Sequence, residues 1–179
     1  MKVVIANPPW MVNGRYGTRA TSRWPHLRTD KLLVFPIYHA YAAALLERRG
    51  VNVKTIDAVD QELTIDKFVE KVRDFSPDYI FLETSYPSWN VDKKTIYELR
   101  KIIDTKIVIF GPDATARAEF LLNDCEEIDF VIFGEFDYTI EEISSGINPK
   151  KINGIFYREK GKIKKTKKRP LIENLDELP

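Results

Sequence analysis

The residues best suited to chemistry stand where apolar runs stop. Lys2-Val3-Val4-Ile5-Ala6 stops at Asn7-Pro8-Pro9-Trp10, and Asp78-Tyr79-Ile80-Phe81-Leu82 opens into Glu83-Thr84-Ser85-Tyr86-Pro87-Ser88-Trp89-Asn90. The runs over residues 106–110 and 129–133 meet Gly111-Pro112-Asp113-Ala114-Thr115 and Gly134-Glu135. Such stretches offer hydroxyls that donate and accept, glycines that let backbone approach a ligand, and helix starts with unpaired N–H groups. Trp10, Trp24, Tyr86 and Trp89 could wall a large planar ligand. The chemistry this suggests is the holding of a bulky, flat molecule with polar edges, not acid–base catalysis. A second concentration of polar groups, Arg15, Arg19, Arg23, Trp24, His26 and Arg28, lies between Trp10 and Pro36. Connections from strand to helix usually need only about 2–6 residues, so this long loop is expected to serve function.

The elements that must position these loops alternate along the chain. Residues 2–6 read as a buried strand, because β-branched apolar residues bounded by prolines fit a pleated interior position. A helix is expected over 36–49, with Pro36 in its first turn, alanines and leucines within it, and Gly50 to stop it. A strand over 51–56 follows, then a helix whose Ile65, Phe68, Val69, Val72 and Phe75 form one apolar stripe. After the strand at 78–82, Asp92 is expected to cap a helix with Ile96, Leu99, Ile102 and Ile103 on its inner face. Thr115 is expected to cap a shorter helix ending at Leu122, and Asp137 a last one ending near Ile143. The rhythm then changes to a hairpin over 152–158 and 162–166, turning at Lys160-Gly161. Strands alternating with helices imply a parallel sheet with right-handed crossovers. Ligands of such sheets bind outside the carboxyl ends of the strands.

Composition narrows the classes. The 44% hydrophobic and 31% charged content is that of an ordinary globular protein, and the length fits one domain or one domain with an appendage. No window approaches a membrane-spanning length, and the first residues lack the regions of a signal peptide, so a cytoplasmic location without membrane contact is expected. With Cys125 alone, the chain can build neither an internal disulfide nor an iron–sulfur cluster. The net charge of +1 hides a basic excess between Lys150 and Arg169, read as a solvated hairpin or linker in preference to a nucleic-acid surface. No G-x-G-x-x-G or G-x-x-x-x-G-K-[ST] is present, which disfavours a dinucleotide or P-loop site. Asn7 and Glu83 stand where a phosphoacceptor pocket would need its acids. Asn7-Pro8-Pro9-Trp10 resembles the tetrapeptide of amino-directed adenine methyltransferases, but the glycine-rich loop that family needs for S-adenosylmethionine (SAM) is absent.

The combination resembles the N-terminal cobalamin-binding domains of B12-dependent radical SAM proteins. The resemblance is carried by Asn7-Pro8-Pro9-Trp10, Gly14-Arg15-Tyr16-Gly17, Ser22-Arg23-Trp24-Pro25 and Phe35-Pro36-Ile37-Tyr38 with the alanine-rich helix. It continues through Glu83-Thr84-Ser85, Gly111-Pro112-Asp113-Ala114-Thr115, Gly134-Glu135, Gly154-Ile155-Phe156-Tyr157-Arg158 and Leu175-Asp176-Glu177-Leu178-Pro179. It implies a flavodoxin-like, Rossmann-like α/β fold with a five-stranded parallel sheet of order 2-1-3-4-5 and a C-terminal hairpin. Residues 1–147 would form the cobalamin-binding domain, and 148–179 the hairpin and linker towards a radical SAM domain outside this chain. It further implies that cobalamin lies over the carboxyl rim, its nucleotide tail buried near Ser85 and Gly111. The cofactor-binding residues expected are Asn7, Pro8, Pro9, Trp10, Arg23, Trp24, Thr84, Ser85, Tyr86, Pro87, Gly111, Pro112, Asp113, Thr115, Gly134 and Glu135. The D-x-H-x-x-G motif of other cobalamin domains is absent. No protein ligand to cobalt is therefore expected: His39 reads as a packed helix residue, and His26 is the sole alternative ligand. The C-x-x-x-C-x-x-C of radical SAM barrels is also absent, so a [4Fe–4S] cluster and SAM are expected only in the further domain. This chain alone is expected to be non-catalytic, part of a methyltransferase-like or redox enzyme. The alternative is a non-catalytic flavodoxin-like module that binds another small ligand or nucleic acid.

Overall fold

The computed structural model describes residues 1–19 and 24–179. In chain order the first elements are β1 (Lys2–Asn7), β2 (Met11–Val12), β3 (Arg15–Thr18), β4 (His26–Arg28), α1 (Ile37–Arg48), β5 (Asn52–Asp57) and α2 (Ile65–Phe75). They are followed by β6 (Tyr79–Glu83), α3 (Trp89–Ile102), β7 (Lys106–Phe110), α4 (Pro112–Asp124), β8 (Phe130–Ile132) and α5 (Asp137–Ser144), and the chain closes with the hairpin β9 (Ile155–Glu159) and β10 (Lys162–Lys165). The main sheet runs β10-β9-β8-β7-β6-β1-β5. Its strands β5, β1, β6, β7 and β8 are parallel, which is the expected order 2-1-3-4-5. The hairpin turns where expected, but it also extends the sheet, with β9 antiparallel to β8.

The alternation of each strand divides the core. Val4, Ala6, Ile80, Leu82, Ile107, Ile109 and Val131 pack on one face with the apolar residues of α2, α3 and α4. Val3, Ile5, Phe81, Val108, Phe110 and Ile132 pack on the other with Ala42, Ala43 and Leu46 of α1 and Ile140 and Ile143 of α5. Strands buried on both faces need no polar alternation, which is why they read as continuous apolar runs. No helix of the described residues is long and apolar enough to cross a membrane.

Three expected caps are corrected. Asp92 lies inside α3, and the turn before that helix is closed instead by the side chains and backbone of Ser85 and Ser88. Gly111, not Thr115, precedes α4, because Pro112 suits a first helical turn. Thr115 instead donates to the Gly111 carbonyl at 3.1 Å. Asp137 is the first residue of α5, after Phe136.

Part of the long connection after β1 is regular. Its strands β2, β3 and β4 form a separate antiparallel sheet. Trp10, 2% exposed, anchors it from beneath. Gly17 donates its N–H to the Trp10 carbonyl at 2.8 Å and lies flat on the indole, so a Cβ on Gly17 would come within 2.2 Å of the ring. Gly17→Ala is therefore expected to destabilise the protein by about 2 kcal/mol through overpacking, as read by chemical denaturation. A variant as stable as the parent would show that the ribbon is not seated on Trp10.

Candidate functional site

A cleft of about 930 Å³ opens at the carboxyl edge of the parallel strands. Its inner wall is built by Arg19, His39, Glu83 and Phe110, and its rim by the loops after β7 and β8, including Gly111, Pro112, Thr115, Gly134 and Glu135. The outer lip includes Tyr38 and Tyr41 of α1 and, opposite, Ile172, Leu175 and Leu178 of the last segment. That segment is tied down where the Ile172 N–H donates to Glu135 Oε2 at 2.6 Å and Arg48 Nη2 donates to the Glu177 carbonyl at 3.0 Å.

Gly111 keeps the inner wall narrow. Its φ of +112° is a conformation that side chains disfavour, and a Cβ there would meet Glu83 Cγ and the Thr84 carbonyl, both at 3.1 Å. The exits of β6 and β7 therefore stay in close contact. Glu83 ends β6 pointing into the cleft, and His39 approaches it from α1 with Nε2 3.3 Å from Glu83 Oε2. Both side chains are buried, and neither of these atoms has a hydrogen-bond partner. Burial pushes the Glu83 carboxyl up to about 7, the field of Asp92 and Asp57 adding to the effect and that of Arg19 opposing it. Burial, with Arg19 nearby, pushes His39 down to about 4. Near neutrality His39 is uncharged, so the contact is not an ion pair. His39 also meets Phe110 edge-on, with ring centroids 5.2 Å apart. An unsatisfied buried polar group costs about 1–3 kcal/mol, so this pair is an expense the fold carries at the wall of this cleft.

Behind this wall lies a closed polar network. The Arg19 guanidinium donates to Asn7 Oδ1 and the Pro8 carbonyl, each at 2.7 Å, to Ser88 Oγ at 3.0 Å, and to Asp92 Oδ1. The second Asp92 oxygen accepts from Ser88 Oγ at 2.6 Å and Thr84 Oγ1 at 2.7 Å. Burial raises the Asp92 pKa, and Arg19 with the two hydroxyls offsets this. At the other end Asn7 Nδ2 donates to Asp57 Oδ1 at 2.9 Å. Arg19 therefore joins the β2–β4 ribbon to the end of β1, to the turn before α3 and to α3 itself.

Of the residues expected at the site, Gly111, Pro112, Thr115, Gly134 and Glu135 line the cleft. Asn7, Pro8, Pro9 and Trp10 are buried behind it as the anchor of the ribbon and network. Thr84 and Ser85 are buried among Ser88 and Asp92. Tyr86 and Pro87 are exposed outside the cleft, where the Arg117 guanidinium stacks 4.7 Å from the Tyr86 ring. Asp113 is buried and engaged by Arg117 through two hydrogen bonds. Trp24 is exposed, and Arg23 lies outside the described residues. His26 is exposed on β4, its Nδ1 2.5 Å from the Trp24 carbonyl, and does not line the cleft. Sequence reasoning makes His39 a packed helix residue, as its burial shows, and places Glu83 at a ligand-side strand end, but counts neither among the cofactor-binding residues. Their signals were a charged residue closing an otherwise apolar strand and a histidine in register with Ala42, Ala43 and Leu46 on the buried face of α1.

Comparison with known proteins agrees with this geometry. The chain is 33% identical over 150 residues to the uncharacterized methyltransferase PH0819 of Pyrococcus horikoshii, covering 80% of this chain and 32% of that protein. It is 21% identical over 187 residues to the anaerobic magnesium-protoporphyrin IX monomethyl ester cyclase of Cereibacter sphaeroides, covering 99% of this chain and 28% of that one. It thus spans about a third or less of the length of these curated relatives. Among solved structures, the cobalamin-dependent SAM radical enzyme OxsB with aqua-cobalamin and SAM bound shares its fold at a TM-score of 0.72 and 15% identity, over 95% of this chain and 22% of that one. The radical SAM methyltransferase TsrM of Kitasatospora setae, with cobalamin and a [4Fe–4S] cluster bound, does so at 0.71 and 14%, over 99% and 30%. The B12 binding domain family matches residues 26–144. That match covers more than half the sequence, and the chain belongs to the B12 binding domain family.

Proposed function

We propose that this chain is the cobalamin-holding part of a larger radical SAM enzyme, in which a further domain carries the [4Fe–4S] cluster and SAM. The observation that carries the reading is the family match together with a large cleft at the carboxyl edge of a 2-1-3-4-5 sheet, where such folds hold ligands. The cleft suits cobalamin on its own terms. It is roomy and lined mainly by apolar and aromatic side chains. Its rim is glycine-rich, and two buried polar atoms on its wall await a partner. Residues 1–147 would supply most of the cofactor's cleft, with Ile172, Leu175 and Leu178 of the segment 148–179 closing one lip beyond the hairpin and on the way towards the further domain, in the cytoplasm.

Cobalamin, when bound, supplies methyl transfer or redox chemistry at its cobalt. This chain's own residues bind and orient. Gly111 and Gly134 let backbone approach, Tyr38 and Tyr41 flank the mouth, and Ile172, Leu175 and Leu178 exclude water from the opposite lip. Arg19 fixes the ribbon behind the wall. The protein mixed with hydroxocobalamin and desalted is expected to emerge coloured, at close to one cofactor per chain. A colourless protein after both aerobic and anaerobic loading would defeat the reading.

A further inference from the structure

We infer that His39 and Glu83 are a recognition pair for a neutral ligand group that both donates and accepts hydrogen bonds, a carboxamide or a hydroxyl. The inference rests on the cobalamin reading of the cleft and deepens it. Nε2 of His39 and Oε2 of Glu83 are buried, 3.3 Å apart and unpartnered, and both side chains line the cleft. Among the described residues, the cation nearest Glu83 from behind is Arg19, and its guanidinium is already taken up by Asn7, Pro8, Ser88 and Asp92. The pair does not suit an anion, because the neutral imidazole presents a lone pair to it and leaves only the single carboxyl proton as a donor. It does not suit a metal either, since the described residues hold no set of three or more His, Cys, Asp or Glu that could bind one. A neutral group with an N–H or O–H beside an acceptor satisfies both atoms. The acceptor nitrogen of a neutral imidazole takes the donated hydrogen, and a protonated carboxyl gives one back. The burial that holds His39 neutral and favours the protonated form of Glu83 supports this division of roles. Cobalamin carries such groups in two places, the amide arms of its corrin and the ribose of its nucleotide tail.

The test compares the parent with Glu83→Leu, His39→Phe and Glu83→Gln, using cyanocobalamin and dicyanocobinamide as probes in equilibrium dialysis read by visible absorbance. The first two variants remove a buried polar group and keep bulk, so they are expected to melt no lower than the parent. Each is nevertheless expected to bind cyanocobalamin about tenfold more weakly, the worth of one hydrogen bond to a buried partner. Glu83→Gln keeps a donor and an acceptor and is expected to stay within about threefold of the parent. Among the described residues, the charged or titratable groups around Glu83 are His39 from α1, Arg19 just after β3, Asp57 at the end of β5 and Asp92 on α3, with Tyr38, Tyr41, Glu135, Asp137 and Asp176 also lining the cleft. Ionisation of Glu83 removes its donor, so parent affinity is expected to fall between about pH 6 and about pH 8.5 while that of Glu83→Gln stays level. An equal loss with dicyanocobinamide, which lacks the nucleotide, assigns the recognised group to the corrin amides. A loss confined to cyanocobalamin assigns it to the nucleotide arm, and either supports the pair. Parent-like affinity in both Glu83→Leu and His39→Phe overturns it while leaving cobalamin binding intact. A parent that takes up no cyanocobalamin overturns the cobalamin reading, and the pair falls with it.

Discussion

Replacing Arg19 with leucine is expected to lower the unfolding free energy by about 3–5 kcal/mol, a large share of the about 5–15 kcal/mol that holds a typical domain together. The reason is what the substitution leaves behind. Asp92 and Arg19 are both essentially without solvent contact, and removal of the guanidinium strands the carboxylate, Asn7 Oδ1 and the Pro8 carbonyl without their donor. Burial then raises the Asp92 pKa with only Ser88 and Thr84 to oppose it. Asp92→Leu should be comparably damaging, since it leaves the cation buried. The double variant removes both charges together, so its loss should fall short of the sum of the single losses by about 2–3 kcal/mol. Guanidinium-chloride unfolding of the four proteins measures this coupling. Simple additivity would mean that the two side chains do not act as a unit.

The second large effect is hidden in the parent and appears when the His39–Glu83 pair is split. A carboxyl held at about 7, against 4.5 when free, favours the protonated form in the folded protein. Its contribution to stability is full below about pH 4.5 and is lost as pH rises to about 7, a change of about 3 kcal/mol. A histidine held at about 4, against 6.5, favours the neutral form. Its contribution is full above about pH 6.5 and is lost as pH falls to about 4, again about 3 kcal/mol. Across nearly the same window the two oppose each other. Relative to the parent, Glu83→Leu should therefore gain stability as pH rises through that window, and His39→Phe should gain it as pH falls. Comparison with the parent cancels the other buried carboxyls, Asp57, Asp92 and Asp137, which burial also raises. Denaturation curves collected across this range decide the matter, and two difference curves of the same sign would refute the assignment.

The parallel core was legible because its signals are local. Ile107–Phe110 is an unbroken apolar run, and Ile65, Phe68, Val69, Val72 and Phe75 repeat at helical spacing, so both elements follow from their own residues. The ribbon after β1 was not legible, for β2 has two residues and β4 three, too few for any period to show. It exists because Trp10 packs beneath it and Arg19, just after β3, ties it to Asn7, Pro8, Ser88 and Asp92 elsewhere in the chain. Asp92 shows the same limit: it resembles a helix cap, but its partner Arg19 lies 73 residues away. The glycine-rich rim of the cleft could be read from loop composition, while its inner wall required the packing of α1 against β6. His39 and Glu83 looked ordinary apart and become informative only at 3.3 Å.

The hairpin that lengthens the sheet also moves its boundary. With β9 laid against β8, the outermost strand on that side is β10, and on the other side it is β5. An outermost strand offers unpaired N–H and carbonyl groups to any extended chain that drifts alongside, and lysines are a common deterrent. β10 bears exposed Lys162, Lys164 and Lys165, and β5 bears Lys54. Bringing in another strand there would crowd like charges and strip them of water. The basic run that gives the chain's last thirty residues their excess charge thus acts as a guard against unwanted strand addition, keeping a long sheet from templating its own aggregation.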